Sequence, residues 1–338
     1  MRRREFITLL GAVAAWPVAG GAQQADQTRR IGVLMAYTES DPEAQGFFAA
    51  FTQALTRLGW TDGRNLRMEV RWAPGSVERM RAFAKELVDL KPDMILANST
   101  PATAAFQRET KTIPIVFAVA SDPVGSGFVA SLARPGGNIT GFSIAEPSLS
   151  AKWIELLGEI APGLRRAAMM FNPSTAAYVT SYYLPSFEAA AQSLKVTPII
   201  ARVGSAADIE TAIISLGQKP GGGLLVMPDN FMEINRAQII SLAARNNVAA
   251  IYQLPVNVKD GGLLSYGADF ADVFRRAAVY VDRVLRGTLP SELPVQMPMK
   301  IHFDDKRQNR QSAGPGRAAN AHLARGRGDR IGLSCCGA

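Results

Sequence analysis

Residues Ile113–Ser143 read IPIVFAVASDPVGSGFVASLARPGGNITGFS. The stretch opens on an unbroken apolar run, IPIVFAVAS. A strand with one wet face would alternate apolar and polar residues. A run without alternation is a strand covered on both faces, as in the parallel sheets of α/β proteins. The run ends on Ser121-Asp122, two small polar residues that suit the start of a following helix. DPVGSGFVASLA is accordingly read as turning into a helix, and PGGNITGFS as a turn-rich exit. The glycines do not form the strand–G-x-G-x-x-G–helix fingerprint of dinucleotide binding.

The same rhythm extends in both directions. Upstream, RIGVLMAY, NLRMEVRW and DMILANS are strands. The helices between them are DPEAQGFFAAFTQALTRLGW, with Phe47, Phe48, Phe51, Leu55 and Leu58 at helical spacing, residues 77–90, and TPATAAFQRET with Pro101 in its first turn. Downstream the alternation restarts with a helix at 148–160, the strand RRAAMMFNPS and the helix AYVTSYYLPSFEAAAQSLK. TPIIARV, GGLLVMPDN, AAIYQLP, GGLLSYGAD and VQMPMKIHF are further strands, with helices at 206–217, 232–245 and 270–286. About ten strands exceed one comfortable doubly wound sheet. The expected fold class is therefore α/β, with two Rossmann-like lobes of mostly parallel sheet linked by a hinge. Residues 28–145 plus 262–288 are assigned to lobe 1 and 146–261 plus 289–303 to lobe 2, with hinge segments near 144–148, 255–262 and 287–292.

Charge and cysteine content narrow the function. The net charge of +8 lies at the two ends: residues 1–5 carry +2 and residues 306–338 carry +6, which leaves the body neutral. The body has no Cys and one His, His302, which excludes thiol chemistry and Cys/His zinc sites and disfavours a Ser-His-Asp triad. Neither a G-x-x-x-x-G-K-S/T phosphate loop nor a G-x-S-x-G nucleophile elbow is present. No cofactor or metal is expected. The start, MRRREFITLLGAVAAWPVAGGAQQ, has a basic region, a short apolar core and small residues around Ala22. It is read as a signal peptide over residues 1–22, with Arg3-Arg4 resembling a twin-arginine export motif. The apolar part is shorter than the roughly 20 residues needed to span a bilayer. The expected location is the periplasm.

In open parallel sheets, ligands bind beyond the carboxyl ends of the strands. The residues there are Tyr37, Thr38, Glu39 and Ser40, then Asn98, Ser99 and Thr100, then Ser121 and Asp122. In the second half they are Asn172, Pro173 and Ser174, then Asp229 and Asn230, then Tyr266 and Asp269. Each small polar residue also makes a good helix cap with no ligand at all. Their recurrence at the strand ends of both lobes points to a shared cleft. Helix N-termini suit a carboxylate, and Asp229 or Asp122 suits an ammonium, so a zwitterion such as an amino acid fits. The candidate ligand-binding residues are Tyr37, Ser99, Thr100, Ser121, Asp122, Asn172, Asp229, Asn230 and Tyr266.

The segments MRRREFITLLG, IGVL, LVDLKPDMILANSTPAT, FNPS, MPDNF and GGLLSYGAD, and above all the stretch ending in PGGNITGFS, resemble a known family. These are the exported substrate-binding proteins of ABC transporters with the type I periplasmic-binding fold, the tryptophan/tyrosine-binding-protein-like group. The resemblance runs from the signal to about residue 303. It implies two lobes joined by three crossings that close on a small organic ligand, and delivery to an inner-membrane permease. A monomer without enzymatic activity is expected. The alternative is a periplasmic sensor module reporting to a membrane receptor.

The end of the chain departs from that pattern. Residues 304–338 form a basic, Arg/Gly/Ala-rich tail holding Cys335 and Cys336. The resemblance implies a helix and a short acidic end there instead. Read one base later with suitable synonymous codons, DKRQNRQSAGPGRAAN becomes TNAKTANRRDLDVPPT, and RGDRIG becomes AEVTE followed by a stop. The tail is therefore read as a frameshifted, disordered segment with its origin near codon 304–305, and not as a nucleic-acid-binding arm. Resequencing that codon region tests this.

Overall fold

The computed structural model describes residues 28–144 and 146–306. The expected signal peptide at 1–22 and the tail beyond Lys306 lie outside the described residues.

The first lobe is built from β1 (Arg29–Met35), α1 (Pro42–Arg57), β2 (Leu66–Trp72), α2 (Val77–Asp89), β3 (Met94–Asn98), α3 (Thr100–Glu109), β4 (Ile115–Ala120) and β5 (Ile139–Ser143). Its five strands are all parallel, in the order β2-β1-β3-β4-β5. Every residue of β3, β4 and β5 is buried, as the unbroken apolar runs require. Helix α1 shows how the local sequence sets its element. The Asp41 side chain accepts from the backbone of Glu43 and Ala44, Pro42 occupies the first turn, and Ala44, Phe47, Phe51 and Leu55 form one buried stripe.

The second lobe contains α4 (Leu149–Ile160), β6 (Arg166–Phe171), α5 (Val179–Tyr182), α6 (Leu184–Ser193), β7 (Thr197–Arg202), α7 (Ala206–Gly217), β8 (Gly222–Val226), α8 (Asn230–Ile234), α9 (Arg236–Arg245), β9 (Ala249–Tyr252), α10 (Pro255–Lys259) and β10 (Leu264–Ala268). The chain then runs through α11 (Phe270–Leu285), a 3-10 turn at Pro290–Glu292 and β11 (Ile301–Asp305). The second sheet has the order β11-β10-β9-β8-β6-β7, and only β11 is antiparallel to its neighbour.

Several expectations are corrected. Residues 122–133 form turns, not a helix: Gly125 donates to the Asp122 carboxylate at 2.8 Å, and Phe128 and Val129 tuck under β4 beside Phe117. ITGFS, expected within a turn-rich exit, is strand β5. It was masked by Gly141, which a strand tolerates only where another backbone comes close.

The division of the C-terminal segments also differs. β10 pairs with β9, so residues 264–268 belong to the second lobe, whereas α11 packs on α1 with Phe47 stacked 5.9 Å from Phe274. Residues 295–296 return to the first lobe, where Gln296 exchanges backbone hydrogen bonds with Gly141 and Ser143. The crossings between lobes are thus at 144–148, at Asp269 and at 297–300. The segments 255–262 and 287–292 lie inside lobes. The Asp269 N–H donates to Lys300 O at 3.0 Å and ties two crossings together. Strand β11 also continues past the expected start of the tail, with Asp304 and Asp305 opposite Ser265 and Leu264, and Asp305 is buried.

Candidate functional site

The carboxyl ends of the two sheets face each other across a cleft. Its inner part is a narrow cavity of only ≈ 20 Å³, about the room of one water, so the lobes must part to admit a larger molecule. From the first lobe come Tyr37 after β1, Ser99, Thr100 and Pro101 after β3, Val119 at the end of β4, and Phe270. From the second come Tyr178, Pro228, Asp229, Asn230, Glu233 and Gln253. An outer groove shares Thr100, Pro101 and Tyr178 with it and continues past Asp122, Ser126, Arg81 and Arg108. The two spaces are sections of one cleft.

The lobes touch at its edges. Arg236 Nη1 of the second lobe lies 2.7 Å from Asp41 Oδ2 of the first, and the Ser121 and Tyr183 hydroxyls are 3.4 Å apart. Strained backbone also gathers here. Of the six non-glycine residues at positive φ among the described residues, Ser99 (95°), Val119 (65°) and Asp122 (43°) line the cleft. A β-branched Val at such a φ costs on the order of 1–3 kcal/mol and persists only where surrounding packing enforces it.

Asp229 is the most heavily bonded group in the cleft. It is the N-cap of α8. Its carboxylate accepts from Phe231 N at 2.9 Å, Asn172 N at 2.7 Å and the Thr175 hydroxyl. The loops after β6 and β8 are thereby sewn together. Burial nonetheless pushes its carboxyl up to about 6, against the pull of those three donors. Glu233, one turn further along, is pushed up to about 7 by burial, opposed by the Asn257 amide and Arg236. Its side chain has a single hydrogen bond among the described residues, from Asn257 Nδ2 at 3.4 Å.

With this geometry the comparisons with known proteins agree. A model of the family described as ABC transporter substrate binding protein matches residues 36–303. The chain belongs to this family. The family binds solute and is not enzymatic. The tyrosine-binding protein of Clostridioides difficile (strain R20291) is 27% identical over 271 residues, covering 79% of this chain and 75% of that one. A conserved domain protein from Vibrio cholerae superposes with a TM-score of 0.77 at 26% identity, covering 84% of this chain and 94% of that one. The ABC domain in complex with L-Trp from Streptococcus pneumoniae gives a TM-score of 0.76 at 22% identity, over 85% of this chain and 94% of that one. These structures share the α/β two-lobe periplasmic-binding fold with mostly parallel sheets. No helix among the described residues is long and apolar enough to cross a membrane.

Within this substrate-binding protein the sequence-predicted residues separate into three groups. Tyr37, Ser99, Thr100, Asp229 and Asn230 line the inner cavity, and Asp122 lines the outer groove. Ser121 and Asn172 stand behind the walls: Ser121 N donates to Thr100 Oγ1 at 2.9 Å, and Asn172 Oδ1 accepts from Ser174 N at 2.8 Å in an Asx turn. Tyr266 is not brought to the cavity. It lies behind the hinge with Ile144, Lys152 and Met297, because β10 directs it toward Phe303 on the antiparallel edge strand. Sequence reading missed Glu233, Gln253, Tyr178, Val119 and Phe270. Two of these carried a usable signal. Gln253 directly follows a strand, and Glu233 lies four residues after the capping Asp229, on the same helix face.

One stability effect follows from the bonds of Asp229. Asp229→Ala removes a helix cap and leaves the buried Asn172 N–H without an acceptor, so a loss of about 2–3 kcal/mol is expected. Urea denaturation measures it, and a change within about 0.5 kcal/mol of wild type, the range of an ordinary surface substitution, would show that these bonds are not structural.

Proposed function

We propose that this chain is the exported solute-binding component of an ABC importer, capturing an amino acid or related small carboxylate between its two lobes in the periplasm. The observation that carries this reading is the shared inner cavity: both lobes supply its walls, so a ligand there touches both only when they are closed. Such a ligand favours the closed state by its differential affinity, and the permease then meets that state. Aromatic and small polar residues line the space, with Tyr37, Tyr178 and Phe270 beside Ser99, Thr100 and Asn230. The ligands of the relatives, tyrosine in one and L-Trp in another, support an aromatic amino acid as the first class to try. Of the sequence-predicted residues, Tyr37, Ser99, Thr100, Asp229 and Asn230 are proposed to face the ligand, with Asp122 at the mouth.

A thermal-shift screen of the full chain against amino acids and small carboxylates tests this. A ligand at 100 times its Kd stabilises by about 2.7 kcal/mol through mass action and raises Tm accordingly. No shift across the panel would count against the transport reading.

A further inference from the structure

The inner cavity holds two deeply buried polar side chains, one with an amide nitrogen the fold leaves without a partner and one with a single long hydrogen bond. Gln253 is 3% exposed and its Nε2 has no hydrogen-bond partner, one of three such buried side-chain atoms among the described residues and the only one of them in the cavity lining. Glu233 is 6% exposed, and its one hydrogen bond, from Asn257, is long at 3.4 Å. Both lie in the second lobe, Gln253 directly after β9 and Glu233 on α8, which follows the neighbouring strand β8. A buried amide or carboxylate without partners costs several kcal/mol unless something else supplies them. Asp229, one of the two carboxylates the sequence offers for an ammonium, is by contrast already committed to three internal donors. The nearby cation does not fill the gap. The Arg236 guanidinium is directed to Asp41 at 2.7 Å and Asp260 at 3.0 Å, and only its contact with the Glu233 backbone oxygen turns that way.

We infer that Glu233 and Gln253 are the recognition pair for an α-amino acid, Glu233 receiving the ammonium and the Gln253 amide donating to the adjacent carboxylate. This rests on the amino-acid reading above and adds which side chains read the charged end. A carboxylate held by one long hydrogen bond and an amide donor without a partner, in one cavity, match the two charges of a zwitterion. A sugar hydroxyl would donate to Glu233 but bring no compensating charge, and a simple carboxylate would bring it no cation. The titratable and charged groups acting on Glu233 are Asp41, Asp229, Arg236, Tyr37 and Tyr252. Burial favours its neutral acid, so an incoming ammonium restores the carboxylate and releases a proton to solvent near neutral pH.

Calorimetric titration of the full chain at pH 8 tests the pair, using L-tyrosine, L-tryptophan and L-phenylalanine with the matching desamino 3-arylpropionates. Glu233→Gln is expected to weaken an amino acid that binds wild type by roughly 10–150-fold, and its desamino analogue by less than about threefold. Gln253→Ala is expected to weaken the amino acid by about three- to tenfold. Equal losses for the amino acid and its analogue, or unchanged binding to Glu233→Gln, would overturn the assignment and leave the amino-acid reading standing. Binding of none of these amino acids to wild type would overturn both. Should Glu233→Gln not fold, proton release by wild type decides: titration at pH 7 in buffers of differing ionisation enthalpy shows a released proton fraction if the pair is right and none if it is wrong.

Discussion

Gly141→Ala is expected to destabilise the first lobe by about 3–5 kcal/mol, although it adds one methyl group to a buried strand. Gly141 lies in β5 opposite Phe117 of β4, at φ +155°. A Cβ there would sit on the Phe117 carbonyl oxygen and 2.7 Å from its nitrogen. The obstacle is the backbone of a central strand, which cannot swing aside like a side chain. The same strand pair shifts register between Ala118 and Ala120, where Val119 turns into the cavity. Damage at Gly141 should therefore reach the cleft wall as well as the core. Chemical denaturation of wild type and variant measures the effect, and a loss below about 1 kcal/mol would show that β4 and β5 can separate to admit a methyl group. Gly141 thus accounts for one glycine of the 113–143 stretch: two strands approach there too closely for any side chain.

Glu233→Gln is expected to make the ligand-free protein more stable at pH 8, by ~3 kcal/mol, while weakening its binding. The sign follows from burial. Glu233 titrates at about 7 in the folded chain against an ordinary 4.5, so folding favours the neutral acid. That contribution is fully present below pH 4.5 and is lost as the pH rises through 7. At pH 8 wild type holds a desolvated carboxylate with one long hydrogen bond, whereas the amide has no charge to desolvate. The shift of about two and a half units corresponds to ~3 kcal/mol. Wild type and variant should converge near pH 4, where the acid is neutral in both folded and unfolded chains. Asp229, raised to about 6 from 3.8, gives a parallel slope that remains in the variant. Urea denaturation of both proteins from pH 4 to 8 checks this, and identical pH profiles would sink it. A binding site that stabilises the fold when its ligand-reading charge is removed is the usual trade between stability and function.

Much of this molecule could be read without coordinates. Unbroken apolar runs such as IVFAVA and MILAN, short and bounded by turn residues, read as strands buried on both faces, and the stripe Phe47, Phe51, Leu55 reads as a helix on a core, as the structure has them. Those patterns are local. The rule that ligands gather at strand carboxyl ends then found Tyr37, Ser99, Thr100, Asp229 and Asn230 in the inner cavity and Asp122 beside it. Errors arose where a contact between distant segments sets the outcome. ITGFS looks like a turn until the Phe117 backbone beside it shows why the glycine is there. GGLLSYGAD has the same apolar pattern whichever sheet it joins, and only its pairing with β9 and β11 assigns it to the second lobe and carries Tyr266 behind the hinge. The deepest difference concerns charge. From the sequence, Asp229 or Asp122 suits an ammonium, and nothing singles out Glu233. Whether a carboxylate is free for a ligand depends on how many donors the folded chain brings to it, and those donors come from residues up to 57 positions away. The sequence by itself determined which segments are strands and helices and which polar groups cluster at their ends. Only the tertiary structure decided which of those groups the protein satisfies internally and which it leaves for a ligand.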